Sequence, residues 1–202
     1  MTPSGLLPLP VVDVCALDAA RRTAFRPNQL LGDAHGANHR LPRYFYEVDS
    51  WRTALELRIA EHFTLSELMT VDVREAAEVR KFPRYVPLAV TLLGAQLEVL
   101  RQALGTYVYI AANGGYRSPS HRLSDHASPH CWGTAANIYR VGDTYLDDAD
   151  KIDRVAKVAA RVLPAVWIRP YGYERGFADD HLHLDIGYVR LTPRGHDEDS
   201  PG

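Results

Sequence analysis

The segment His130–Asn137 reads HCWGTAAN, and the later segment Asp180–Asp185 reads DHLHLD. Polar and apolar residues alternate in the second segment, which is typical of a β-strand with one buried face. The alternation predicts a leucine face toward the core and an opposite face with His181, His183 and Asp185. Two imidazoles and a carboxylate, spaced about 7 Å apart along a strand, form a set of metal ligands and proton carriers. A polar strand that faces solvent is the alternative interpretation.

The first segment places His130 at the end of a polar loop, just before a stretch of small residues that is predicted to be a strand. Small residues allow a backbone or a ligand to approach closely. On an extended chain Ala135 and Asn137 share a face, so the Asn137 amide could converge with His130. A histidine beside Trp132 is also typical of simple aromatic packing, and the local sequence leaves this alternative open.

Composition indicates an ordinary globular chain: the 202 residues fit one domain and are 46% apolar and 24% charged. A net charge of -2 and a pI near 6.5 give no electrostatic basis for binding nucleic acid or an anionic membrane. No apolar run approaches the roughly 20 residues of a membrane span. Cys15 and Cys131 lie far apart, which argues against a disulfide framework or a cysteine zinc site. The N-terminus lacks a basic segment and contains prolines, so it is a poor signal peptide and a cytoplasmic location is expected.

Three segments are predicted along the chain: an irregular N-terminal arm over residues 1–48, a compact domain over 49–191 and a disordered tail over 192–202. The arm is rich in Pro, Gly and Asn. Its two histidines, His35 and His39, lie among glycines, so we interpret them as solvated loop residues rather than as a helical metal-binding pair.

Helical periodicity predicts three helices, over Trp51–His62, Tyr85–Leu104 and Asp148–Leu163. A capping box at Thr64-Leu65-Ser66-Glu67 predicts a short additional helix. The predicted strands are Tyr107–Ala112, Gly133–Val141, Val166–Arg169 and His181–Val189. Helices come first and most strands come later, which favours an α+β fold.

Several short motifs occur in a fixed order. Phe63–Leu68 reads FTLSEL and Gly115–Pro119 reads GYRSP. Downstream of them lie Ser128, His130, Gly133, Ala135, Asn137 and the triplet His181-Leu182-His183. The series resembles the zinc D-alanyl-D-alanine carboxypeptidase and Hedgehog-type metallopeptidase family. The family signature is SxHxxGxAxD followed later by HxH, and its small phage and bacterial members carry GYRSP and FxLSEF segments. The resemblance extends from about residue 60 to residue 190.

The resemblance implies a Hedgehog/DD-peptidase-like fold, with a small and mainly antiparallel sheet flanked by helices, and a zinc cofactor. Its implied zinc ligands are His130, Asn137 and His183. It implies that His181 is the general base and that Arg117 holds a substrate carboxylate or stabilises the oxyanion. Both roles agree with elementary chemistry, because catalytic zinc takes three protein ligands and arginine matches a carboxylate with two parallel hydrogen bonds.

The remaining roles concern the surroundings of these groups. Tyr116 and Ser128 are expected to contact the substrate, a short peptide of the peptidoglycan type with a free carboxylate. Asp185 is expected to orient a histidine from behind. Asp180 and Asp179 are interpreted either as orienting groups of the same kind or as solvated loop charges.

Asn137 departs from the family pattern, in which an aspartate occupies this position. An amide oxygen is neutral and binds zinc more weakly than a carboxylate, so a lower zinc affinity or a different metal is expected. Three arrangements stay open: a substitute ligand such as Asp179 or Asp185, weak binding through Asn137 itself, or a pocket without metal hydrolysis. The predicted function is a zinc-dependent D,D-carboxypeptidase-like peptidase or amidase, and the alternative is a non-catalytic ligand-binding or regulatory domain. A thiol hydrolase built on Cys131 is disfavoured, because adjacent residues on an extended chain point apart from His130.

Overall fold

The computed structural model describes residues 7–124, 126–173 and 180–196. They form a mixed α+β structure, as the sequence predicts. The helices are α1 (Ala19–Phe25), α2 (Trp51–Glu56), α3 (Leu65–Leu68), α4 (Ala77–Arg80), α5 (Val90–Leu104) and α6 (Ala149–Val162), with short 3-10 turns at Val14–Ala16 and Pro129–Trp132. The strands are β1 (Val11–Asp13), β2 (Leu30–Gly32), β3 (Asn38–Arg40), β4 (Tyr44–Val48), β5 (Arg58–Ala60), β6 (Phe63–Thr64), β7 (Arg84–Pro87), β8 (Val108–Ile110), β9 (Ala135–Val141), β10 (Thr144–Tyr145), β11 (Trp167–Ile168) and β12 (Leu182–Asp185).

The described strands form two sheets and two small hairpins, and every pairing is antiparallel. A three-stranded sheet has the order β1-β4-β7. A five-stranded sheet has the order β10-β9-β12-β11, and β8 also pairs with β9. The hairpins are β2-β3 and β5-β6. Strand β9 is the centre of the larger sheet, and its partner β12 carries the HLHLD sequence.

Helices α5 and α6 cover one face of the core. Leu93, Leu97 and Leu100 of α5 are buried, whereas Leu92 is 40% exposed, and Gly105 ends the helix in the left-handed conformation with φ 67°. Asp148 caps α6 by accepting a hydrogen bond from the Lys151 amide. Helix α6 packs on α5, β11 and β12, so the leucine face of β12 lies in the core as the alternation predicts.

Two predicted helices differ from the structure at their ends. The helix predicted over Trp51–His62 stops at Glu56, because the chain then turns into the β5-β6 hairpin. The helix predicted from Tyr85 begins at Val90, because residues 84–87 form β7 and pair with β4. The capping box is present: the Thr64 amide donates to the Glu67 carboxylate at 2.7 Å, and α3 follows.

The prediction of an irregular arm over residues 1–48 is wrong for the described part of that segment. Residues 7–48 contain α1 and four strands, and β4 is the middle strand of the three-stranded sheet. Its residues Phe45 and Tyr46 are fully buried. An ion pair between Arg43 and Asp13, with 2.7 Å between the guanidinium and the carboxylate, fixes the start of the segment to the sheet.

Of the tail predicted over residues 192–202, the structure describes residues 192–196. The His196 ring packs on the Tyr44 ring with 5.1 Å between centroids, and residues 197–202 lie outside the described residues. Among the helices that the structure describes, none has the length and apolar character needed to cross a membrane.

Candidate active site

The candidate site is built on the pairing of β9 with β12. His183 lies directly opposite Asn137 in the register, and Leu182 lies opposite Ile138. Since Leu182 and Ile138 are buried in the core, the side chains of His183 and Asn137 project together from the other face. The segments His130–Asn137 and Asp180–Asp185 are therefore neighbours in the sheet where β9 pairs with β12.

His183 has an oxygen beside each of its ring nitrogens. Its Nδ1 lies 2.8 Å from Oδ1 of Asn137, and its Nε2 lies 3.0 Å from Oδ2 of Asp185. Burial lowers the pKa of His183 to about 4, so the ring is neutral near pH 7 and carries one N–H. A carboxylate accepts hydrogen bonds and does not donate them, so this N–H is at Nε2 and Nδ1 keeps its lone pair.

This tautomer decides how Asn137 interacts with His183. An amide can exchange its two ends by rotation without a change of shape, so its NH₂ group can face Nδ1 and donate to it. An aspartate at position 137 could not make this bond, because a carboxylate and a ring lone pair repel each other. Asn137 therefore stabilises the pair of side chains without a bound cation.

His130 lies on the other side of the site, in the 3-10 turn Pro129–Trp132. Its Nδ1 donates to the Gly115 carbonyl at 2.8 Å, which leaves the Nε2 lone pair available. Its ring centroid is 5.1 Å from that of His183. Burial, with the nearby charge of Arg117, holds the pKa of His130 well below its usual range. Both histidines are thus neutral, which is the form that binds a metal.

The GYRSP segment has a structural explanation. A Cβ atom at Gly115 would lie 2.3 Å from the Leu68 carbonyl oxygen, so a glycine is required for this close approach. The Tyr116 amide donates to that same carbonyl at 2.7 Å. Ser118 is held by Glu75, whose carboxylate accepts from the Ser118 hydroxyl at 2.6 Å and from its amide at 2.9 Å. These contacts fix the loop whose Gly115 carbonyl orients His130.

Arg117 and Tyr116 lie deeper than a substrate-binding role predicts. The Arg117 amide donates to the His130 carbonyl at 3.2 Å, and burial lowers the pKa of its guanidinium to about 10. Its Nε has no hydrogen-bond partner among the described residues. Tyr116 packs in the core, with its ring 6.0 Å from that of Phe45, so the prediction that it contacts a substrate is not supported by its position.

His181 immediately precedes β12, and its side chain is mostly buried. Its Nδ1 is 2.6 Å from Oδ1 of Asp180, and its Nε2 is buried without a partner among the described residues. Asp180 is exposed to solvent. Among the site histidines that the structure describes, it contacts His181, whereas His183 contacts Asp185. Asp185 is buried, bonds His183 and also accepts from the Gly187 amide at 2.8 Å. Asp179 lies outside the described residues.

A cleft of about 700 Å³ opens over His183 and Asp185. Ser128 lies in its wall, and its contact with a substrate stays a prediction. Sequence reasoning missed the other side chains around it, because they come from distant segments of the chain. They include Trp167, Arg169, Tyr173, Tyr188, Asp33 and His35.

The β2-β3 hairpin supplies one wall of this cleft. Its His39 ring stacks on the Tyr188 ring at 3.5 Å between centroids and bonds Asp33 at 2.8 Å. The Trp132 indole donates to the Arg40 carbonyl at 3.0 Å. His39 is thus a fixed structural residue, whereas His35 lies at the exposed hairpin turn beside the cleft. The prediction of two solvated loop histidines is wrong for His39.

The donor set fits a zinc ion with limited movement. His130 and His183 each have one nitrogen anchored and one lone pair left, and Asn137 offers an amide oxygen beside His183. Two light-atom ligands of tetrahedral zinc lie about 3.3 Å apart. The 2.8 Å contact between Asn137 and His183 would therefore have to open by about half an ångström and return the amide oxygen to the metal side.

A second group of metal-binding side chains lies far from the cleft. Among the described residues, Glu61, His62 and Glu98 bring ligand atoms within 4.8 Å of one another. His62 already uses its amide and Nδ1 to bond Glu98, at 2.9 and 2.7 Å. These bonds hold the β5-β6 hairpin against α5, so structural hydrogen bonds account for the group.

The Cys131 thiol is buried, and burial raises its pKa to about 11. A thiol of this kind is not a nucleophile near neutral pH.

Comparison of the chain with protein-family models, with curated proteins and with solved structures gave no match.

Proposed function

We propose that this chain is a zinc-dependent hydrolase of the D,D-carboxypeptidase type, acting on a short peptide with a free carboxylate. One observation carries the proposal: Asn137 and His183 project from one sheet face, the His130 ring lies 5.1 Å from the His183 ring, and one nitrogen of each histidine is already anchored. Anchoring of this kind is expected of metal-ligating histidines.

Zinc held by these three side chains would supply the Lewis acidity that activates water and polarises a peptide carbonyl. The chain's own groups complete the chemistry. Gly115 and Asp185 keep the lone pairs of His130 and His183 directed at the site. His181 is the proton acceptor, because its Nδ1 bonds Asp180 and its Nε2 is left as a base. A proton taken there can be passed to the leaving amine.

The cleft accounts for the preference for a carboxylate. Arg169 lies in its wall, and its amide donates to the His183 carbonyl at 3.0 Å, so its side chain leaves the backbone beside the site. Its guanidinium is 5.9 Å from the Trp167 ring. We assign the carboxylate contact to Arg169, with the buried Arg117 acting on the site through its charge. A volume of about 700 Å³ suits a peptide of a few residues.

The same proposal places the chain in the Hedgehog/DD-peptidase-like fold. Its support is the order of the motifs, together with an antiparallel sheet that has helices on one face and the candidate ligands on the other. The N-terminal strands and the β2-β3 hairpin would be additions to that fold.

Elemental analysis combined with a cleavage assay tests the proposal. Purified full chain and the variant Asn137→Asp are compared for zinc content and for release of D-alanine from a peptide ending in D-Ala-D-Ala. The variant should bind zinc at least 100-fold more tightly, since a carboxylate replaces a neutral ligand, and should cleave faster. Asn38→Asp adds the same charge at the exposed hairpin and serves as the control. Absence of zinc and of cleavage in both proteins, even with zinc added, would rule the hydrolase out.

A non-catalytic ligand-binding domain is the second candidate, and the Asn137–His183 hydrogen bond favours it. That bond satisfies the site without a cation. In this case the wild-type protein should bind the peptide with the same affinity in the presence of zinc and in the presence of a chelator. His181→Ala should leave the peptide affinity unchanged, whereas Arg169→Met should lower it.

A further inference from the structure

Four tyrosines and one arginine form a continuous patch on the larger sheet, which we term the tyrosine–arginine surface. Ring centroids are 6.3 Å apart for Tyr107 and Tyr109, 6.3 Å for Tyr109 and Tyr139, and 6.1 Å for Tyr139 and Tyr145. The Arg140 guanidinium lies 3.8 Å from the Tyr109 ring and 5.5 Å from the Tyr145 ring. Tyr107 and Tyr145 are 62% and 54% exposed, so the surface is open to solvent.

The strand register explains why these side chains gather. Arg140 on β9 lies opposite Tyr109 on β8 and opposite Tyr145 on β10. The register shifts at this point: Tyr109 pairs with Arg140 and Ile110 pairs with Ile138, so Tyr139 is an extra residue. A bulge of this kind turns two consecutive side chains to the same side of the sheet. Tyr139 and Arg140 are therefore both available on one face.

That face is the one that carries the candidate site. Ile138 is buried in the core, so its neighbours in alternation, Asn137 and Tyr139, leave the sheet on the opposite side, about 7 Å apart along the strand. Asn137 lies beside His183, and beyond it the cleft contains Arg169. From the cleft, the face thus runs over the paired Asn137 and His183 to the tyrosines. A ligand held in the cleft by its carboxylate would extend its remaining part over this surface.

Composition and charge indicate which ligand fits. Single exposed aromatic residues are common, but neighbouring tyrosines with arginine are typical of binding surfaces. Tyrosine rings stack on the C–H faces of sugar rings and their hydroxyls bond sugar hydroxyls. Arg140 is the cation within the patch, and Arg101 lies at its edge, with its guanidinium 5.9 Å from the Tyr107 ring. They complement a chain that carries carboxylates.

We propose that the tyrosine–arginine surface binds an amino-sugar polysaccharide that carries acidic peptides, and that one such peptide enters the cleft. The inference deepens the proposed function, on which it rests for the peptide. It differs in that the polysaccharide is held by stacking at a site that takes no part in hydrolysis.

Co-sedimentation with purified, insoluble peptidoglycan sacculi tests this inference. The full chain, the double variant Tyr109→Ala/Tyr145→Ala and the control Tyr171→Ala are compared, each at several concentrations. Tyr171 is 44% exposed and lies outside the patch. Loss of two stacking rings should weaken binding to sacculi about tenfold, and the control should bind as wild type. Far-ultraviolet circular dichroism equal to that of the wild type shows that the double variant folds, and its cleavage of a free D-Ala-D-Ala peptide should be unchanged.

Each outcome has one meaning. Equal binding of the double variant and the wild type to sacculi would overturn the inference, even if zinc and cleavage are found. A double variant that loses binding to sacculi, in a protein that neither binds zinc nor cleaves peptide, would leave the inference standing and remove the proposed function. Equal loss of binding to a soluble, sugar-free stem peptide would overturn the assignment to a polysaccharide and indicate a peptide surface.

Discussion

Two histidine groups in this chain differ in almost every property that governs metal binding. We term Glu61, His62 and Glu98 the surface group, after the exposed Glu61. The group has two carboxylates, but His62 is already bonded to Glu98, and none of the three residues lines the cleft. The buried group has two histidines and an amide, but each histidine is neutral and held by an anchor behind it. By ligand charge the surface group is superior. The buried group is better preorganised for a metal, and its His183 lines the cleft.

The difference indicates that the number of carboxylates is a poor guide to function. A histidine that donates to a carboxylate of its own group stabilises the fold, and a metal would first have to break that bond. A histidine whose rear nitrogen is bonded elsewhere keeps that anchor when a metal arrives, and His183 gives up only its Nδ1 contact with Asn137. This distinction depends on which nitrogen is bonded.

Removal of one histidine from each group should give the largest difference in zinc affinity between the two groups. His183→Ala should lower zinc affinity about 1,000-fold, since structural sites gain several kcal/mol from each ligand. His62→Ala should leave zinc affinity unchanged. Isothermal titration with zinc measures both variants. A loss of binding in His62→Ala, with none in His183→Ala, would reverse the comparison.

Acid should destabilise the buried group, in protein kept free of metal by a chelator. The pKa of His183 falls from 6.5 in the unfolded chain to about 4 in the folded protein, because burial disfavours the charged ring. Between these values the unfolded chain binds a proton that the folded protein does not. The free energy of unfolding should therefore decrease by about 3 kcal/mol as the pH falls from 6.5 to 4.

Denaturant unfolding at several pH values measures this slope. His183→Gln should flatten it, although buried His130 shifts in the same direction and will leave part of the effect. His62→Gln is the surface control. An unchanged slope in His183→Gln would show that the ring is not the titrating group.

The anchor behind His183 should have a smaller effect on zinc than the ligand itself. Asp185→Asn replaces an acceptor by an amide and weakens control of the tautomer. Zinc affinity should fall by about 10–100-fold, as for other groups that orient a ligating histidine. Competition with a chromogenic chelator measures the change. Affinity equal to that of the wild type would show that Asp185 has no part in metal binding.

The smallest effect is expected for a change of Glu98, the buried member of the second group. Glu98→Gln weakens two hydrogen bonds to His62 and should lower the free energy of unfolding by about 1 kcal/mol. Zinc affinity should not change. Thermal unfolding and the same chelator competition measure the two quantities. A drop in zinc affinity here would make the surface group a metal site.

Local sequence patterns predicted the parts of the fold that local interactions determine. The leucines and Gly105 fix α5, Asp148 begins α6, and the alternation from His181 to Asp185 gives the two faces of β12. The N-terminal strands were missed because each is three to five residues long and is stable through distant partners, such as Arg43 with Asp13. Strands of three residues are too short to show a period, and β4 reads YFYEV, a mostly buried run in which apolar and polar residues do not alternate.

The candidate site could be predicted in its residues but not in its contacts. His130, Asn137 and His183 are readable as a motif, whereas the register that sets Asn137 beside His183 is a property of the sheet. The depth of Tyr116 and the position of Arg169 in the cleft depend on how segments far apart in sequence pack. No local pattern contains this information.

The central place of β4 has a practical consequence for recombinant work. A shortened protein that starts at residue 49, at the boundary that the sequence alone indicates, would lack the strand between β1 and β7. The edge of β7 and the apolar surface beneath Phe45 and Tyr46 would then face solvent. Exposed edges of this kind promote aggregation. Affinity tags and fusion partners should therefore be attached outside an intact N-terminal segment rather than in place of it.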